Sequence, residues 1–286
     1  MGARRTPDEL LRSVLWTVSD FLSDLVVAGG WVPYLHRHYG SYLEWRSDPV
    51  FTEELDLLVH PPLRRSEGRT MADALRERGL RPVGEGTVAA VWASETDPGE
   101  RIEFFVEHVG PASTLASVHR VEEGGGVGAL SLRGLWLLRD HSTKLSVPLG
   151  RYRGKIRTAE VTVPDLGAFV VQKAASFPRR PEGVKQAKDL FYLFEIMAAG
   201  ETVQSEVERM VAEISAESGA AAQEVRTACH NVESVLREEG ALRQLLEPTA
   251  EMVSERYGIE MAAARARLEG YLRDFFEILG PATSEP

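Results

Sequence analysis

The chain has 286 residues, 43% hydrophobic and 27% charged, which allows one large domain or two modest ones and excludes wholesale disorder. The net charge is −10 with a single cysteine, Cys229, so an intramolecular disulfide and a multi-cysteine zinc site are excluded and a reducing, cytoplasmic location is expected. No apolar run approaches the roughly 18 residues of a membrane span and MGARRTPDELL lacks the apolar core of a signal peptide, so no membrane partner is expected.

The stretch TPDELLRSVLWTVSDFLSDL opens as a helix. Thr6 can cap it, Pro7 fits its first turn, and Glu9 stands where a capping box needs it. Apolar residues from Leu10 to Leu25 then recur at helical spacing. Val26–Ala28 reads as a strand end, Gly29-Gly30 as a tight turn, and Trp31–His38 as a helix. Glu54–Val59 is a strand, and Thr70–Arg78 a short helix stopped by Gly79. Two strand-like runs follow, TVAAVWAS and RIEFFVEHV, separated by the turn-rich ETDPGE. Glycines 124–126 mark a loop. Leu135–Leu138, Lys144–Val147 and Ile156–Val163 read as short strands with basic residues interleaved. From Pro164 the pattern is helical, with breaks near Pro178–Gly183, Gly200, Gly219, Gly240 and Pro248. The expected fold class is therefore α+β: a small mixed sheet with flanking helices over residues 1–163, then an all-helical region over 164–286.

Chemistry concentrates in the strands. Alternation places Glu54 and Asp56 on one face of their strand, with Leu55 and Leu57 directed to the core. In RIEFFVEHV it places Arg101, Glu103 and Phe105 on one face and Ile102, Phe104 and Val106 on the other. A register using Glu53 would put that acid opposite Asp56 and is rejected. If the strands are neighbours, Glu54, Asp56 and Glu103 converge. Hard divalent cations prefer such oxygen ligands, and Mg²⁺ takes one or two carboxylates together with phosphate oxygens and water. The Gly29-Gly30 turn lacks Cβ atoms, so its backbone N–H groups can approach phosphate, and the following helix adds its positive end. The histidines show no zinc-hydrolase spacing, and Ser131, Ser142 and Ser146 lack a nucleophile-elbow context.

In this order and spacing, Gly29-Gly30-Trp31, TEELDLLV and RIEFF resemble the nucleotidyltransferases of the DNA polymerase β superfamily. VPDLGAFVVQKAASFPRRPEGVKQAKDLFYLFEIM is similar to the segment after the sheet in their abortive-infection type toxin members. The likeness spans roughly residues 20 to 200. It implies metal ligation by Glu54, Asp56 and Glu103, with Mg²⁺ or Mn²⁺ as cofactor and an NTP as substrate. It assigns Gly29, Gly30, Lys173 and Lys188 to nucleotide binding, and Asp189 to orienting the nucleotide or assisting catalysis. Glu54 stands where the family has Asp, extending the carboxylate about 1.5 Å further from the strand. The expected function is transfer of a nucleoside monophosphate to an acceptor hydroxyl. Two further readings are an antibiotic-type small-molecule transferase and a catalytically degenerate nucleotide- or partner-binding protein.

Charge distribution bears on the acceptor. Arg133 to Lys188 carries 12 basic residues against 4 acids, whereas Glu201 to Pro286 carries 17 acids against 8 Arg and no Lys. The basic stretch suits a polyanion such as tRNA, and the resemblance adds a cognate antitoxin protein as a partner. The acidic end suits a small cationic acceptor.

Overall fold

The computed structural model describes residues 6–40, 44–49, 52, 54–60, 62–66, 68–84, 88–97, 100–109, 117–152, 155–180 and 183–280. Its first helix, α1 (Pro7–Thr17), starts on the expected capping box. The Thr6 N–H donates to Glu9 Oε2 at 2.8 Å and the Glu9 N–H donates to Thr6 Oγ1 at 3.3 Å. Leu10, Leu11, Val14 and Leu15 form its buried face. The helix is shorter than its apolar periodicity predicts, because the chain tightens into a 3₁₀ segment over Ser19–Asp24 before the first strand.

The chain divides into two units. The first comprises Met1–Ser41 and Phe51–Pro164 and is built on a nine-stranded mixed sheet. At its centre, β1 (Leu25–Ala28) lies between β2 (Glu54–Val59) and β9 (Lys155–Pro164), antiparallel to the former and parallel to the latter. On the far side of β2 comes β5 (Arg101–Glu107), parallel to it, followed by β4 (Val91–Ser94) and β3 (Leu80–Pro82). β8 (Ser142–Tyr152) forms the opposite edge, paired with β9 in a long hairpin. β7 (Gly128–Leu132) pairs with the end of β5 and with β6 (Val118–Arg120). All four β1 residues are buried, as suits a central strand with both faces covered. β5 alternates as expected, with Ile102, Phe104 and Val106 buried and Arg101, Glu103 and Phe105 half-buried.

Leu135–Leu138, expected as a strand, is instead part of a helix, α4 (Leu135–Asp140). Four consecutive apolar residues carry no period that separates the two conformations. The choice is made by Gly134, which takes φ 80°, and by Glu107 of β5, whose carboxylate accepts from Gly134 N–H at 3.2 Å and Trp136 N–H at 2.7 Å. Those amides are the orphan donors of a helix start.

The second unit comprises Asp165–Pro286 and the earlier segment Tyr42–Val50. Its helices are α5 (Leu166–Ser176), α6 (Gly183–Met197), α7 (Glu201–Ala216), α8 (Ala220–Leu236), α9 (Leu246–Tyr257) and α10 (Met261–Leu279). α5 is buried from Leu166 to Ala175 and packs against α6, α7 and α8. Gly167 admits that packing, since a Cβ there would lie 2.4 Å from Met210 Cβ of α7. The 42–50 segment is fastened by Arg46 N–H to Ala199 O at 2.7 Å and by Arg256 Nη2 to Asp48 O at 2.6 Å. Sequence reading placed this segment with the first part, because no local pattern announces contacts with helices more than 150 residues away. No helix among the described residues is long and apolar enough to cross a membrane.

Candidate active site on the central strands

β1 brings the chain to Ala28, which pairs with Asp56 of β2. Gly29 then turns the chain at φ 66°, and Gly30 begins the helix α2 (Trp31–Tyr39). A Cβ on Gly29 would sit 1.9 Å from Asp56 Oδ2. Glycine is therefore required twice over, once for the left-handed backbone and once for the approach to the carboxylate. Trp31 Nε1 donates to the Glu54 carbonyl at 2.9 Å, fixing the start of β2 beside the start of α2. The turn and the acid strand are thus one rigid piece, as the residue order suggests.

The parallel register of β2 and β5 settles which residues stand opposite one another. Asp56 lies directly opposite Glu103, and Glu54 lies directly opposite Arg101. Registered residues share a sheet face, so three carboxylates and one guanidinium occupy this face. Arg101 Nη2 donates to Glu103 Oε1 at 2.6 Å, the two side chains being 38% and 20% exposed. Glu54, at the solvent end of β2, is exposed, while Asp56 is half-buried. Among the described residues no group of three or more His, Cys, Asp or Glu side chains is placed to hold a metal ion. On this face Asp56 and Glu103 form a facing pair, with Glu54 set opposite Arg101. Sequence reading put Arg101 on the right face and gave it no role. The signal was its i,i+2 spacing from Glu103, which keeps both on one side of a strand.

The donor set of Asp56 and Glu103 fits a hard cation that draws its remaining ligands from water and phosphate, as Mg²⁺ does. It does not form an all-protein cage. The Gly29 cradle fits the same chemistry, because it leaves backbone, with no side chain, against the Asp56 carboxylate.

The other expected site residues lie in the second unit. Lys173 of α5 and Asp189 of α6 form a buried ion pair, Nζ to Oδ1 at 2.7 Å, with the side chains 8% and 5% exposed. Arg180 Nε donates to the second Asp189 oxygen at 3.0 Å. The Lys173 ammonium also stands 5.6 Å from the ring centroids of Phe169 and Tyr192, within cation–π range. Burial alone would raise the Asp189 pKa, but Lys173 and Arg180 outweigh it and hold the carboxyl below the usual carboxylate range. Lys188 is half-buried on the same helix. Sequence reading named Lys173 and Asp189 separately, and their direct bond is a product of α5 packing on α6.

No family model, curated protein or solved structure matches the chain.

Proposed function

We propose that the chain is a metal-dependent nucleotidyltransferase that moves a nucleoside monophosphate from an NTP to an acceptor hydroxyl. The observation carrying this reading is the facing pair Asp56–Glu103 on adjacent parallel strands, with Gly29 laid against Asp56. A Mg²⁺ or Mn²⁺ ion held there would neutralise polyphosphate charge and acidify the attacking hydroxyl. The chain's own residues do the rest. Asp56 and Glu103 would hold the ion that takes up the phosphate end of the NTP, and Gly29 lets the Asp56 carboxylate lie directly against the turn. Glu103 positions the acceptor hydroxyl and takes its proton. The hydroxyl oxygen bonds to the α-phosphorus as the bond to the bridging oxygen breaks, and pyrophosphate leaves with that electron pair. In the second unit Asp189 fixes the position of the Lys173 ammonium, and nucleotide roles for this pair are what the resemblance implies.

RNA is the acceptor class favoured by the β8–β9 hairpin, where Lys144, Arg151 and Arg157 are exposed. A toxin acting on tRNA, restrained by an antitoxin, fits this reading. One observation favours a small cationic acceptor instead: Glu201, Glu208, Asp274 and Glu277 line a groove of about 1030 Å³ between α7 and α10.

The test is incubation of the purified protein with Mg²⁺, each α-labelled NTP and a total tRNA pool, with Asp56→Ala alongside. Label is expected in RNA with the wild type, and Asp56→Ala should reduce transfer by about 100-fold or more, the scale of losing one electrostatic contact in a transition state. No label in RNA, with transfer to an aminoglycoside in a parallel incubation, would select the small-molecule reading. Equal transfer by Asp56→Ala would remove the carboxylate pair from the chemistry.

A further inference from the structure

The carboxylate face contains a cation at its solvent end. Arg101 occupies the β5 position opposite Glu54 and binds Glu103 through Nη2 at 2.6 Å. Its Nε is buried and meets no acceptor among the described residues. A buried guanidinium donor left unused carries a desolvation cost that a merely structural pair would avoid. The same side chain is 38% exposed, so part of it faces solvent while one edge is held by Glu103. A held edge, an unused donor and access to solvent are the properties of a group that can change partners. Arginine's planar fork suits two phosphate oxygens as well as it suits a carboxylate.

We propose that Arg101 is an exchangeable counter-ion: it neutralises Glu103 in the nucleotide-free protein and transfers its guanidinium to the phosphates of an incoming nucleoside triphosphate, freeing Glu103 for the divalent cation. The inference rests on the nucleotidyltransferase reading above. Its physical content is competition. A divalent cation arriving alone must displace a guanidinium already bonded to Glu103 and is repelled by it. A cation arriving with a polyphosphate gives Arg101 another partner, and the repulsion becomes attraction. Cation and nucleotide therefore bind as a unit, and each raises the affinity of the other by the same factor. The arrangement also keeps the acidic face from collecting divalent ions without substrate.

The experiment measures Mn²⁺ affinity, by electron paramagnetic resonance of the free ion, for wild type, Arg101→Met, Arg101→Lys and Asp56→Ala. Each is titrated alone and with the α,β-methylene analogues of ATP, GTP, CTP and UTP, which cannot be cleaved between the α and β phosphates. Wild type is expected to bind Mn²⁺ weakly alone and on the order of tenfold tighter with the favoured analogue. Arg101→Met should bind Mn²⁺ alone on the order of tenfold tighter than wild type, and its enhancement by nucleotide should fall towards unity. Arg101→Lys keeps the charge without the fork, so Mn²⁺ alone stays weak while the enhancement drops; this variant decides the matter if Arg101→Met does not fold. Wild-type enhancement in Arg101→Met, or in Arg101→Lys if only that variant folds, would overturn the inference. A wild type that shows no enhancement with any analogue, and matches Asp56→Ala throughout, would remove the nucleotidyltransferase reading and the Arg101 inference with it.

Discussion

Asp189 is buried with two cations, and its pH behaviour follows from that placement. In the unfolded chain its carboxyl titrates near 4, and in the folded protein Lys173 and Arg180 overcome the cost of burial and hold it lower. A depressed folded value stabilises the protein fully above the unfolded pKa, and that stabilisation is lost as pH falls from about 4 through the folded value. Asp189→Asn removes this dependence. It also leaves Lys173 buried beside a neutral amide, a change that costs about 3–5 kcal/mol when one partner of a buried pair is deleted. Chemical denaturation across an acid series checks both points: the variant should be much less stable than wild type near neutrality, and the gap should narrow below about pH 4. A constant gap down to the lowest pH would mean that the pair contributes no titrating stabilisation. Gly29 illustrates a different residue-scale constraint. The backbone at φ 66° and the nearness of Asp56 Oδ2 both demand the missing Cβ, so Gly29 is a positional requirement and more than a generic turn residue.

At the scale of elements, α4 rests on a carboxylate supplied by a strand. Glu107 ends β5 and accepts from the amides of Gly134 and Trp136. Glu107→Ala should therefore cost about 0.5–2 kcal/mol, the range for removing a helix cap, and loosen α4 before the sheet. Hydrogen exchange would show lost protection over Leu137–His141 with β2 and β5 unchanged; uniform loss would mean that α4 and the sheet open as one unit. That cap explains why Leu135–Leu138 misled as a strand, since the deciding group lies 27 residues away in sequence. Elements with a clean period were legible. β5 alternates by single residues, α1 carries its own capping box, and both follow from nearest neighbours along the chain. β3, three residues with only Leu80 buried, β6, three residues all exposed, and the glycine-containing β7 carry little local signal. The candidate site divides the same way. Alternation put Asp56, Arg101 and Glu103 on their faces, but only the strand register shows Asp56 opposite Glu103 and Glu54 opposite Arg101.

For the molecule as a whole, a net charge of −10 opposes an RNA acceptor at long range. Screening limits that opposition, because the Debye length is only about 8 Å at physiological ionic strength. A local cluster of cations then governs close approach. On the β8–β9 hairpin, Lys144 is 66% exposed and 3.7 Å from Glu160, while Arg157 is 43% exposed and 3.3 Å from Asp20. Exposed pairs of this kind are worth little, about 0–1 kcal/mol, so a phosphate can replace either acid at small cost. Arg157 is additionally held over the Trp16 ring at 4.8 Å, which fixes its position before any ligand arrives. If Lys144, Arg151 and Arg157 each take a phosphate, the logarithm of the RNA binding constant should fall with log salt at a slope of about −2 to −3. Lys144→Ala combined with Arg157→Ala should flatten that slope by about 1.5 and weaken RNA binding at low salt. Acceptor affinity measured from about 50 to 300 mM salt gives the answer. A flat wild-type slope, or a slope that both substitutions leave unchanged, would take RNA off this hairpin and turn the search to a cationic acceptor for the acidic groove between α7 and α10.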